Sequence, residues 1–187
     1  MSHAAVVALA RDGVLLATLA VALYTDLTRR KVYDWCTFTA IGLGLLINYV
    51  AGAFEHAQGN ALAGYLGGPL IDALLGLALA VGIFGVAYLL HMLGGGDVKL
   101  MCAIGALKGL SFFFDAAVFT ACAGAVIAAA VLIWRGRLWQ GLKRSLLVFC
   151  FWSRKKEDDA SARAAEAMTI PYVWAIAIGT LTAWILA

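Results

Sequence analysis

Between Leu70 and Leu93 the only Asp, Glu, Lys or Arg is Asp72, and the run then breaks at Gly94-Gly95-Gly96 before Asp97 opens the next apolar stretch. A run of that length exceeds the ~18 to 20 apolar residues that carry an α-helix across a bilayer. In hydrocarbon a backbone satisfies its own N–H and C=O groups only as a helix or a closed barrel, which narrows the fold classes at once. Further apolar runs occupy about residues 7–24, 35–54, 98–114, 116–134 and 171–187. The 187 residues are 64% hydrophobic and only 13% charged, where soluble domains carry roughly 25% charged residues. The expected fold is therefore all-α, a polytopic membrane protein of six transmembrane helices forming one domain over residues 1–187.

Charge placement orients these spans, because Lys and Arg collect in inner loops. Of the 14 Lys and Arg residues, all but Arg11 and Lys108 fall in the loop 27–34, the Gly94–Lys99 turn or the segment 135–168. These three segments alternate as the inner ends of six crossings require, which places both termini outside. Within the first run, the uncharged stretch Gly13 to Tyr24 is preceded by Arg11-Asp12 and followed by basic residues, the reverse of a cleavable signal peptide, so it is expected to stay as an anchor. Within the last inner loop, residues 135–151 mix Trp139, Leu142 and Leu146 with Arg137, Lys143 and Arg144. That mixture reads as an amphipathic helix lying on the bilayer surface. The charge block 154–159 reads as a solvated linker.

Several functions are excluded by what is missing. No basic stripe of the kind that binds nucleic acid occurs outside the loops. Cys36, Cys102, Cys122 and Cys150 are far apart and form no Cys-x-x-Cys pair, so zinc-ligand spacing is absent and no metal or cofactor is expected. Cysteines in apolar runs read as small buried hydrophobes.

Two carboxylates remain. Asp26 ends the first, outside-to-inside run, and Asp97 follows the third run at its inner end, so both are placed at the cytoplasmic face. Ionisable residues beside membrane spans are functional candidates. Two carboxylates held close together share a proton, because both cannot ionise cheaply. Such a pair hydrolyses an amide without a metal: the charged member takes a proton from water and the protonated member donates to the carbonyl oxygen. Gly94, Gly95 and Gly96 leave room for an extended substrate to approach, and three glycines would serve equally as a flexible turn between helices. The plain alternative for the aspartates is interfacial charge, and a proton or ion transporter is the competing functional class.

Gly94-x-Gly96-Asp97, extended by Val98-Lys99-Leu100, resembles the signature of the type IV prepilin peptidases, membrane aspartic proteases of the Gly-x-Gly-Asp class. Asp26 with the following Arg29-Arg30-Lys31-Val32 resembles that family's first catalytic aspartate. Ile170-Pro171-Tyr172, opening the last span, resembles its C-terminal segment. The resemblance implies catalytic Asp26 and Asp97 in a bacterial inner membrane. It also implies cleavage of pilin-like precursors at the cytoplasmic face, just after a glycine that precedes a hydrophobic helix. The cysteine-bearing domain of the larger, methylating members has no counterpart in this sequence, which resembles the short peptidase-only branch of the tight-adherence pili. N-methyltransferase activity is accordingly not expected. Tyr33-Asp34 stands where members often carry Pro-Asn, which makes Asp34 a third acidic candidate, and Lys99 is a candidate supporting residue. His91 is expected to be packed at the end of the third span, and Asp72 to favour a helix N-terminus at the opposite side. Another Gly-x-Gly-Asp protease acting on signal peptides is the nearest enzymatic alternative.

Overall fold

The computed structural model describes residues 3–29, 33–57, 68–90, 93–134 and 172–186. Among them the secondary structure is helical, without a strand: α1 (His3–Arg29), α2 (Asp34–Ala57), α3 (Pro69–Leu89), α4 (Gly95–Lys108), α5 (Leu110–Trp134) and α6 (Tyr172–Leu186). Four stretches are long and apolar enough to cross a membrane, namely Ala5–Arg29, Asp34–Phe54, Pro69–Leu89 and Leu110–Val131. Helices α4 and α6 have 14 and 15 residues. They rise about 21 to 23 Å, short of the ~30 Å hydrocarbon layer. The expected surface helix within 135–168, together with His91, Cys150 and Pro171, lies outside the described residues.

Of the boundaries that differ from the sequence reading, two bear on the site and on the central helix. Helix α1 runs on to Arg29, so Asp26 sits in its last turn and not beyond it. The fourth apolar run stops at Lys108 rather than continuing to Phe114. Gly109 adopts φ 85°, a left-handed conformation that side chains resist, and its N–H donates to Gly105 O at 3.0 Å. The chain turns there and α5 begins at once. Asp72, in the first turn of α3, accepts from the Leu110 N–H at 3.0 Å and so caps α5 as well as lying at its own helix N-terminus. A side chain at Gly109 would collide with that carboxylate. Pro69 occupies the first turn of α3, where its missing N–H costs nothing.

Helix α4 is the centre of the bundle and packs against all five other helices. Every residue from Leu100 to Leu107 is buried. With no solvent-facing side, the helix depends on partners that come close on several flanks. A Cβ built on Gly76 of α3 would lie 2.6 Å from Gly105 O, and one on Gly44 of α2 would lie 2.9 Å from Ala106 O. Backbones meet here without side chains between them, the packing that stabilises helix pairs in lipid, where apolar burial adds little. Asn48, 2% exposed, donates from Nδ2 to Gly44 O, Ala106 O and Leu107 O at 2.8, 3.1 and 3.2 Å, so α2 supplies a donor to the last carbonyls of α4. Large apolar side chains face outward instead, among them Leu75 and Val81 on α3, Val126 on α5 and Ile185 on α6. So large an apolar exterior suits lipid and would aggregate in water.

Contacts between helix ends fix an alternating, antiparallel order. At one end Lys99, early in α4, pairs with Asp34 at the start of α2, 2.7 Å apart. At the other, Lys108 at the end of α4 pairs with Asp12 in the first half of α1, and His3 stacks on Phe54 near the end of α2. Lys108, an exception to the charge rule, is thus neutralised within the bundle.

Gly105→Ala is expected to destabilise the protein in detergent by about 1 to 3 kcal/mol, since backbone must shift to admit the methyl group. Gly82→Ala, at a position with open space around it, should leave the midpoint unchanged or slightly raised. Thermal unfolding of both variants followed by circular dichroism tests the contrast.

Candidate active site

The first turn of α4 is built by the glycine run. Gly94 is the N-cap residue, with φ −72° and ψ 146°, and Gly95 and Gly96 are the first two helical residues, leaving Asp97 third. A side chain at that third position reaches back to the N-cap amide, as in one arm of a capping box. The Asp97 carboxylate indeed accepts a hydrogen bond from the Gly94 backbone. A Cβ on Gly94 would stand 3.2 Å from Asp97 Oδ2, so glycine at the cap makes room for the carboxylate to fold back. Gly95 lies under the Tyr88 ring from the end of α3, whose Cε2 would be 3.5 Å from a Cβ there. The expected substrate-approach loop is thus one capping residue followed by a helical turn.

Asp97 lies in this turn, outside the four long spanning helices. Its pKa is raised from 3.8 to about 6. Burial is the largest cause, the Asp26 carboxylate adds to it by charge repulsion, and the Gly94 hydrogen bond opposes both. Asp26, half-buried in the last turn of α1, is therefore within electrostatic reach of Asp97 across the α1–α4 contact. The two acids singled out in the sequence, 71 positions apart by their numbers, come to one end of one bundle.

Lys99 does not turn toward them. Two residues beyond Asp97 it faces another flank of the helix. Its ammonium pairs with Asp34 and lies 5.4 Å from the centre of the Phe38 ring. Asp34 is 63% exposed, so the pair contributes no more than about 1 kcal/mol to stability. Asp34 itself is the partner of Lys99, not a third acid facing the pair. Arg29, one turn after Asp26, donates from Nη1 to the Tyr33 hydroxyl at 2.6 Å. Arg30 and Lys31 lie outside the described residues.

Two tyrosines went unnoticed as site residues in the sequence. Tyr88 covers Gly95, and Tyr172, the first residue of α6, lies in the field of Asp97. The signal for Tyr88 was position alone, where an apolar span meets this end of the bundle; Tyr172 stood in the Ile170-Pro171-Tyr172 stretch that resembles the family's C-terminal segment. Among the described residues no three His, Cys, Asp or Glu side chains gather as a metal site. Cys36 and Cys102 are buried and Cys122 is exposed. An open cavity of about 630 Å³, lined by Asp72, Leu79, Leu110, Ser111, Phe114 and Asp115, belongs to the opposite end.

A helical bundle with membrane-length spans and a repelling pair of carboxylates beside a glycine-capped helix defines a class of membrane protein with a buried acid site. A sequence model of the type IV leader peptidase family matches residues 13–132, which include both aspartates and the glycine run. The chain belongs to that family and is a membrane protease acting on a precursor protein. No curated protein and no solved structure gives a significant match.

Because the raised pKa favours the protonated form, native Asp97 binds more protons than the unfolded chain between about pH 4 and 6. Stability contributed by this group is therefore lost as pH rises through that window. Asp97→Asn should abolish that loss. Asp26→Asn should lower the Asp97 midpoint while leaving it above 3.8, because burial is the larger cause. Unfolding measured against pH checks the first, and carbon NMR of labelled aspartate carboxyls against pH checks the second.

Proposed function

We propose that this chain is an aspartic endopeptidase that removes the leader peptide from type IV pilin-like precursors, with Asp26 and Asp97 activating a water. The observation that carries the reading is the charge repulsion between these two carboxylates at one end of the bundle. Family membership supports the protease class, and the Lys and Arg distribution supports a site at the cytoplasmic face of the bacterial inner membrane with both termini outside. On the same reading α4 and α6 complete six crossings, and the chain cleaves without methylating the new N-terminus.

The proposed chemistry follows from the pair. One proton is held between two acids, and it belongs to the pair rather than to either residue. The charged carboxylate accepts a proton from a water molecule, whose oxygen bonds to the scissile carbonyl carbon. The protonated carboxyl gives its proton to the carbonyl oxygen, producing a neutral tetrahedral diol. On collapse the C–N bond breaks, one diol hydroxyl returns its proton to a carboxylate, and the amine leaves with a proton from the other acid. Burial strengthens these transfers by excluding competing water. The first turn of α4 contributes side-chain-free backbone at Gly94 to Gly96, beside the Tyr88 ring, for an extended leader. Lys99 supports the site indirectly, by tying the start of α4 to α2.

The test is coexpression with a precursor whose leader ends in glycine ahead of a hydrophobic helix. Asp26→Asn and Asp97→Asn are each expected to slow cleavage by at least about a hundredfold, while Asp34→Asn leaves it within a few-fold. Processing at the wild-type rate by either of the first two variants removes the pair from the mechanism. Ion flux in proteoliposomes that disappears with Asp97→Asn would favour the transporter instead.

A further inference from the structure

Tyr172 is the first residue of α6 and stands at the same end of the bundle as the last turn of α1 and the first turn of α4. Helix α6 packs against both of those helices, so it forms a third wall beside the elements that carry Asp26 and Asp97. The tyrosine ring is held. It packs against the buried core, and its Cε2 edge lies over Gly124 of α5, where a Cβ would be only 3.4 Å away. The ring thus lies in close contact with α5.

Its hydroxyl is a different matter. Tyrosine hydroxyls in apolar surroundings normally find a hydrogen-bond partner. Among the described residues that of Tyr172 has none, and the residue is half-buried at the end of the bundle that carries Asp26 and Asp97. The charge of Asp97 is felt at that phenol, yet no hydrogen bond joins them. A gap therefore separates a fixed donor from one of the two acids.

We infer that Tyr172 is a catalytic residue of the same peptidase site, its hydroxyl donating a hydrogen bond across the gap to the oxygen of the scissile carbonyl. The inference rests on the peptidase reading proposed above. The phenol keeps its proton throughout. As water adds to the carbonyl carbon, the electron pair of the C=O bond moves to oxygen, which takes its proton from the protonated aspartate. The tyrosine O–H stabilises the charge that builds on that oxygen before the proton arrives. The acid supplies a proton and the phenol supplies a fixed dipole, two roles that one carboxyl cannot fill at the same instant.

Tyr172→Phe tests this with least disturbance, because the ring keeps its place over Gly124 and only the hydroxyl is lost. Purified full-length protein is assayed on a precursor whose leader ends in glycine before a hydrophobic helix, alongside Asp97→Asn and a thermal melt of each variant. The expected result is a fall in kcat of roughly tenfold to a hundredfold, with KM within about threefold of wild type and an unchanged melting midpoint. A wild-type kcat for Tyr172→Phe, while Asp97→Asn is inactive, overturns the role of Tyr172 and leaves the peptidase reading standing. A change confined to KM, or a lost kcat accompanied by a lowered midpoint, overturns it too, since binding or packing would then account for the residue. If Asp97→Asn cleaves normally, the peptidase reading falls and takes this inference with it.

Discussion

The close passage of α4 between α2 and α3 is the constraint on which the rest of this protein depends. A helix buried on every side cannot use lipid or water as a partner, so its position is set by what its backbone touches. Gly76 and Gly105 bring two backbones together, and Gly44 does the same from α2. Asn48 then ties the last carbonyls of α4 to α2 by hydrogen bonds. These contacts are short-range and shape-dependent, so the helix has one place to sit. Whatever its first turn carries is thereby held in place as well.

The two ends of α4 are treated in opposite ways. At its last turn Lys108 meets Asp12 and lies over the Phe112 ring, so charge is balanced within the bundle. At its first turn Asp97 meets another negative group, Asp26, and the cation nearest to it in sequence is engaged by Asp34. The first arrangement suits stability, because a buried charge with its partner is tolerated. The second works against stability, because two half-buried carboxylates repel. A structure that neutralises one end and leaves repulsion at the other has placed its strain where the family resemblance puts the chemistry, the pattern expected when binding and catalysis set the local charges.

Much of this was legible in the sequence, for physical reasons. Membrane helices announce themselves because the lipid interior tolerates few charges, so four long spans and the break at Gly94 follow from hydropathy alone. That Asp26 and Asp97 come to the same end was legible too, because alternating spans force both there. What escaped were features that depend on three-dimensional approach. The end of α4 at Lys108 was missed because apolar residues resume at Leu110 and run on through Phe112, Phe113 and Phe114, although Lys108-Gly109 is itself a helix-stop signal. The left-handed turn at Gly109 and the cap from Asp72, 37 positions earlier, make that stop effective. Lys99 was a candidate supporting residue because it follows Asp97 in the motif that carries the resemblance. On a helix, two residues apart means different faces, and its partner came from α2. Tyr172 looked like the opening of a span, and its place beside Asp97 exists only once α6 returns to α4.

The shortness of α4 links these observations. Asp97 and Lys108 are separated by about 16 Å along the helix, roughly half the hydrocarbon thickness. Helix α1 runs alongside and extends well past Asp12 toward His3, so the Lys108–Asp12 pair lies within the length of a membrane-spanning helix rather than at its tip. A bundle that brings its polar groups inward at one end must seal them there, and the ion pair does so. The remaining mismatch is met at the other end, where the bundle is left with acids, open backbone and a tyrosine hydroxyl. Water and an extended peptide are the groups that such a surface can satisfy. On the peptidase reading, a short central helix thus does more than carry Asp97: its first turn holds that acid beside the ends of α1 and α6, where an extended peptide can reach it.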